Sequence, residues 1–453
     1  MPMMNRVAVL NVVGLTKSLI GEHTPRIKAF VDAGQISSFK PAFPAVTCTA
    51  QSSYVTGVPV QDHGIVANGW YDREAAEVKF WKQSNQIVRG EKIWDKLRAE
   101  NPEFTCAKMF WWYNMYSTAD WSVTPRPAYP ASGKKVFDVY SHPMEMKEEI
   151  KAELGDFPFM TFWGPNTGIA SSQWIADSSK WVEEKNKPTL SLVYLPHLDY
   201  CLQQYGPDDA RVDVELGKID EVVGDLIDFY KERGVEVILL SEYGISKVDQ
   251  PVHLNRIFRE KGWITIKSEL GLEMLDCGAS QAFAVADHQV AHVYVNDKSI
   301  MDEVKQALEN TPGVDEVRPA MEGNAGERGG DLIVIAKSNA WFTYYYWLDD
   351  TVAPDFARCV DIHRKVGYDP VELFLDPQLK FPKLKIAKFL LKKKLGFRAL
   401  LEVIPLDASL VKGSHGRDNV PEGEQPIFVT TGEHASITKP EDVADLIMQV
   451  VKK

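Results

Sequence analysis

Three short runs in this chain, residues 7–13 (VAVLNVV), 190–195 (LSLVYL) and 235–240 (VEVILL), are apolar almost throughout. Runs of that length and composition read as strands buried on both faces, which occur in parallel sheets covered by helices on each side. Between the second and third runs, residues 212–233 place Val214, Ile219, Val222, Val223, Leu226, Ile227 and Tyr230 on one apolar helical face. Strand, helix and strand in alternation predict a doubly wound α/β sheet. In such sheets ligands gather beyond the carboxyl ends of the strands. Asn11, Asp199 and Glu242 each fall at or just past one of those ends.

Residues 251–404 follow a different pattern. Residues 281–295 (QAFAVADHQVAHVYV) read as an antiparallel hairpin, 298–308 as a helix and 314–317 as a further strand. The expected organisation is an α/β core of residues 1–250 and 405–453, with 251–404 inserted as an α+β cap. Residues 428–431 and 440–451 are expected to supply the last strand and helix of the core. Were the hairpin a single unbroken strand, alternation would put His288 and His292 on one face. Asp287, His288, His292, Asp361 and His363 are the cap residues that are candidates for contributing to a site.

The stretch 43–57 (FPAVTCTAQSSYVTG) runs from an extended, proline-bearing segment into a helix expected to stop at Gly57. Thr47 falls at the helix start, where free amides and the dipole stabilise an anion. A hydroxyl placed there can attack phosphorus while the amides hold the developing charge. Asn68 follows closely and is expected to offer a side-chain donor to the same oxygens.

The net charge of −12 argues against a general nucleic-acid binder, because neutralising a phosphate backbone needs a basic face. Cys48, Cys106, Cys201, Cys277 and Cys359 have neither metal-type nor disulfide-type spacing and read as reduced thiols of a cytoplasmic protein. The first residues, MPMMNR, lead into the first strand without an apolar stretch of signal-peptide length. No run approaches the roughly 18 apolar residues of a membrane span. Residues 380–398 stand out: Lys380, Lys383, Lys385, Lys388, Lys392, Lys393, Lys394 and Arg398 interleave with Leu384, Phe389, Leu390, Leu391 and Leu395, and no acidic residue intervenes. The expectation is a helix with leucines packed inward and lysines solvated. Peripheral contact with an anionic membrane surface and self-association into a homo-oligomer are the alternatives.

Gly14, the segment from Phe43-Pro44 through Thr47 to Thr56-Gly57, His63-Gly64, Asn68, Tyr71-Asp72, Asp199, Tyr205-Gly-Pro207, Ser241 to Gly244 and Gly413 to Gly416 stand in an order that resembles one family. It is the type I phosphodiesterase/nucleotide pyrophosphatase family of the alkaline phosphatase superfamily, which also contains phosphonoacetate hydrolase. The resemblance implies an alkaline-phosphatase-like core and hydrolysis of a small phosphate- or phosphonate-bearing substrate. It implies that Thr47 is the nucleophile, forming a phosphothreonyl intermediate, and that Asn68 and the Thr47 amide bind phosphate oxygens. It also implies divalent metal ions as cofactor, zinc in typical members, held by aspartates and histidines.

At the ligand positions this chain has Asn11, Asp199, Gln203, Glu242, Tyr243 and His415. Asn11 stands for an aspartate, Gln203 for a histidine and Glu242-Tyr243 for an Asp-His pair; Asp199 and His415 match. Neutral amides bind zinc poorly, so fewer metals, a different metal or ligands recruited from the cap are implied. Three readings stay open: a metal-dependent hydrolase, a catalytically altered or inactive relative that binds a small anionic ligand, or a phosphotransferase or mutase relative that passes the phosphoryl group to an acceptor other than water.

Overall fold

The computed structural model describes residues 4–397 and 399–453, with Lys393 described by its backbone alone. An eight-stranded mixed sheet forms the centre. In spatial order its strands are Gln35–Ser38, Ile427–Thr430, Glu236–Leu240, Val7–Val12, Leu190–Leu195, Cys106–Met109, Trp121–Pro125 and Val139–His142. The run from Glu236–Leu240 to Trp121–Pro125 is parallel, and antiparallel partners continue it at both edges.

Side-chain alternation explains why helices cover both faces. Ala8, Leu10 and Val12 enter a core shared with Ile175, Ile219, Val223 and Leu226, from helices Ile169–Asn186 and Ala210–Glu232. Val7 and Val9 enter the opposite core with Tyr54, Leu446 and Ile447, from helices Thr47–Thr56 and Asp442–Lys452. Every residue of Val7–Val12 is therefore buried. Val214, expected on the apolar face of its helix, is instead 61% exposed. It lies about 200° around the helix from the buried Val212.

Ala282–Asp287, Val290–Val295, Leu332–Ala336 and Val314–Pro319 form a separate four-stranded antiparallel sheet. The expected helix beside it divides into a 3-10 turn, Lys298–Ile300, and an α-helix, Met301–Glu309. The chain reverses at His288–Gln289, with His288 at φ 61°. His288 and His292 therefore do not share the face of one unbroken strand. His292 belongs to the second strand, where its Nε2 meets the Val66 carbonyl and its Nδ1 accepts the Gly330 N–H.

Parallel pairing positions the site. Asn11 is in register with both Tyr194 and Leu240, so the segments after Leu195 and Leu240 leave the sheet along the edge where Asn11 lies. The helix His197–Tyr205 then carries Asp199 and Gln203 on successive turns. Among the described residues no helix is long and apolar enough to cross a membrane. All five cysteines are free and buried.

Candidate active site

Thr47 is the first residue of the Thr47–Thr56 helix, which follows extended backbone at Val46. Gly57 ends the helix in the left-handed region, at φ 69°, which a side chain would strain. The Thr47 hydroxyl lies 2.9 Å from the Tyr243 hydroxyl, and that phenol donates to Asp199 Oδ1 at 3.3 Å. Because the phenol has one proton and gives it to the carboxylate, its oxygen accepts from Thr47. Gln203 Nε2 donates to Asp199 Oδ2 at 2.8 Å, and Tyr368 donates to Gln203 Oε1 at 3.0 Å.

A second carboxylate lies behind Thr47. Asn11 Nδ2 donates to Glu242 Oε1 at 2.6 Å, and Gln51 Nε2 donates to the same oxygen at 2.7 Å. A third comes from the tip of the antiparallel hairpin. Asp287 accepts the Asn68 backbone N–H at 2.8 Å and Asn68 Nδ2 at 3.2 Å, while Asn68 Oδ1 takes the Cys48 N–H at 3.0 Å. Both the nitrogen and the oxygen of the Asn68 side-chain amide thus have a protein partner, with one Nδ2 hydrogen left over. Its expected donor points at Asp287 because the Cys48 N–H claims the oxygen.

Two imidazoles close the cluster. His415 Nδ1 lies 2.7 Å from the Ala45 carbonyl, so it carries the proton and donates. His415 Nε2 then faces Asp199 Oδ1 at 3.6 Å. The ring stacks on Tyr243 at a centroid distance of 3.7 Å and meets His288 at the same distance. His288 pairs through Nδ1 with Asp287 Oδ1 at 2.7 Å and stacks on Tyr368. Gly416 allows this approach: at φ 126° it lies so close to the hairpin tip that a Cβ would come 3.2 Å from the Gln289 nitrogen.

Burial dominates the electrostatics. It pushes Asp199 up to about 7 against the hydrogen bonds from Tyr243 and Gln203. It pushes Glu242 up to about 8 against the hydrogen bonds from Gln51 and Asn11. Asp287 rises to about 6, opposed by the bonds from Asn68. The same burial drives His288 and His415 well below the usual imidazole range, so both are neutral. The hydrogen-bond partners described above for these three carboxylates are amides, a phenol and an imidazole, none a lysine or arginine.

The residues present fit the metal ions that the resemblance implies only in part. Asn11 and Gln203 turn amide N–H donors, not oxygens, toward the carboxylates. Donor hydrogens aimed at Glu242 Oε1 and Asp199 Oδ2 occupy lone pairs that a cation would need, while Glu242 Oε2, Asn11 Oδ1 and His415 Nε2 carry lone pairs that no protein donor takes. Burial also holds the Tyr243 phenol protonated, far above its ordinary range. Among the described residues no group of three or more His, Cys, Asp or Glu side chains could hold a metal ion.

The structure thus brings together Asn11, Thr47, Asn68, Asp199, Gln203, Glu242, Tyr243, Asp287, His288 and His415. His292 sits further along the hairpin as a structural link. The polar contacts of Asp361 lead away, to Arg364 and to Glu372, and His363 is exposed. Sequence reasoning missed Gln51 and Tyr368. Gln51 was findable, one helical turn after Thr47 on the same helix; Tyr368 had no local signal. The site is tight: Thr47 is 4% exposed and Asp199 7%. A narrow crevice lined by Pro41, Ala45, Tyr243, His415 and Arg417 adjoins it.

A sequence profile described as type I phosphodiesterase / nucleotide pyrophosphatase matches residues 7–369. The chain is 26% identical over 216 residues to an uncharacterized pyrophosphatase/phosphodiesterase of Schizosaccharomyces pombe, covering 46% of this chain and 37% of that protein. It is 24% identical over 238 residues to the human bis(5'-adenosyl)-triphosphatase ENPP4, covering 51% and 45%. The matches therefore span less than half the length of those relatives. Among solved structures, an inactive variant of murine ectonucleotide pyrophosphatase/phosphodiesterase 5 in complex with AMP superposes with a TM-score of 0.59, at 14% identity over 99% of this chain and 95% of that one. The human counterpart gives the same TM-score over 98% and 94%. At such identity the likeness is one of fold.

Proposed function

Because the chain belongs to the type I phosphodiesterase/nucleotide pyrophosphatase family of hydrolases, we propose that it cleaves a small phosphate or phosphonate ester at Thr47. The observation that carries this reading is the hydrogen-bonded line from Thr47 through Tyr243 to Asp199, at a helix N-terminus. As Thr47 Oγ1 bonds to phosphorus, its proton passes to the Tyr243 oxygen and the phenol's own proton passes to Asp199. The ester P–O bond breaks, its electron pair stays on the leaving oxygen, and that oxygen takes the proton back along the line. Water then attacks the phosphothreonine, gives a proton to the same carboxylate, and the Thr47 oxygen recovers it. A carboxyl pushed up to about 7 exchanges protons near neutral pH, where such a relay works best. The helix N-terminus supplies partial positive charge toward the phosphoryl oxygens.

The test is hydrolysis of bis(p-nitrophenyl) phosphate and of nucleotide diesters by the full chain and by Thr47→Ala. Loss of at least about a thousandfold in kcat with an unchanged melting temperature is expected. Undiminished turnover in the variant would remove Thr47 from the chemistry.

A second reading is a relative that binds a small anion without turning it over. It is favoured by the engagement of the Gln203 amide and the Tyr243 phenol with protein partners, and by the low exposure of Thr47. AMP, which the murine relative carries in its complex, is the first ligand to try by calorimetry. Heat of binding with no hydrolysis of any diester would favour this second reading.

A further inference from the structure

The basic segment expected to tuck its leucines inward does the opposite. Residues Pro382–Lys394 are helical, yet Leu384 and Leu391 in that helix and Leu395 just past its end are 67%, 58% and 65% exposed. At 100° per residue, positions 384, 391 and 395 project within about 40° of one another, so they form one outward stripe. Lys385, Lys388 and Lys392 lie along one flank of it, and Lys383 and Lys394 along the other. Ile386 projects from the opposite side and packs against the core that contains Tyr344 and Trp347. Lys385 also pairs with Glu402 at 3.7 Å. Phe381 and Phe397 are exposed at the two ends. Arg398, part of the basic run in the sequence, lies outside the described residues.

We propose that this helix docks the protein on an anionic lipid bilayer, lying flat in the interface with the Leu384–Leu391–Leu395 stripe inserted. The arrangement is that of an interfacial helix: an apolar stripe between two rows of lysines, whose stems follow the acyl boundary while the ammonium groups reach lipid phosphates. Charge complementarity selects the partner. No Asp or Glu occurs between positions 376 and 402, within a chain of net charge −12. A neutral apolar partner would offer no counter-charge to either lysine row, in which Lys385 has Glu402, and an anionic surface engages both rows at once.

The experiment is co-sedimentation of the full chain with vesicles of phosphatidylcholine alone or with about 30% phosphatidylserine, at about 0.1 M salt. Binding to the anionic vesicles that falls with added salt is expected. The triple variant Leu384→Ser, Leu391→Ser, Leu395→Ser should lose at least about tenfold in partition, since each removes apolar insertion. Lys383→Gln, Lys388→Gln and Lys392→Gln should each weaken partition by about fivefold on anionic vesicles only. Five of the six residues are on the surface helix, Leu395 follows its last residue, and all six are exposed, so diester hydrolysis and melting temperature should hold. Absence of sedimentation, equal partition onto neutral vesicles, or a dimer in light scattering that the leucine variant dissolves would each overturn the proposal.

Discussion

Two clusters of buried carboxylates sit in this molecule, and they are neutralised in different ways. Around Lys365, the ammonium lies 2.6 Å from Asp369 and 2.7 Å from Glu372, and Trp163 Nε1 and the Asp361 N–H complete the shell of Glu372. Burial pulls the Lys365 ammonium down, but Asp369 and Glu372 outweigh it and hold it above its ordinary range. Burial also raises Glu372, against Lys365; around Thr47, Asp199 and Glu242 have only neutral donors and rise to about 7 and about 8. A charge brought into low dielectric needs a counter-charge or a proton. The first cluster has its counter-charge built into the chain, and the second leaves its proton balance open, as proton transfer requires.

The largest expected effect breaks the first cluster. Lys365→Met leaves Asp369 and Glu372 without their cation and should cost about 3–5 kcal/mol in urea unfolding. A loss below about 1 kcal/mol would mean that the pair is already protonated.

Next comes pH. Asp199 and Glu242 have folded-state values above those of the unfolded chain, so the folded state binds more protons. Their stabilisation is complete below the ordinary carboxylate range and is lost as pH rises from about 4 to about 8. Urea midpoints at pH 5, 7 and 9 should therefore fall in that order, and a rise would show that a counter-charge is present.

Glu242→Gln sharpens the contrast. It replaces a carboxyl held by N–H donors with a neutral isostere, so at pH 8 stability should stay within about 1.5 kcal/mol of the parent and the pH slope should shrink. A loss as large as that of Lys365→Met would mean that Glu242 is ionised and strongly paired.

The smallest effect expected is that of chelation. Removing divalent ions from the purified full chain should leave the melting temperature unchanged, because Asp199 and one oxygen of Glu242 already take protein donors. A clear drop on chelation, reversed by zinc, would show that the side chains rearrange around a metal.

Much of this was legible in the chain itself. The strand Leu190–Leu195 coincides with its apolar run, because a strand buried on both faces needs no partner information to be recognised. The helix from Thr47 to Thr56 was fixed by the extended segment before it and Gly57 after it. Glu242 and Asp199 could be assigned to the site because parallel strands deliver their carboxyl ends to one edge. Asp361 and His363 could not be assigned, since cap loops have no periodicity to say where they point. The leucines at 384, 391 and 395 were misread for a related reason: the amphipathic spacing marks a stripe but not which side of it faces the core.

What the sequence by itself determined is the alternation of buried strands and helices, the threonine at a helix start and the family order of motifs. These depend on local periodicity and on the conformational limits of single residues. Only the tertiary structure decided that the Asn11 and Gln203 amides give their hydrogens to carboxylates, that Tyr243 bridges Thr47 to Asp199, and that the Asp287–His288 tip closes the site. Those outcomes depend on which groups, hundreds of residues apart, compete for the same lone pairs once water is excluded.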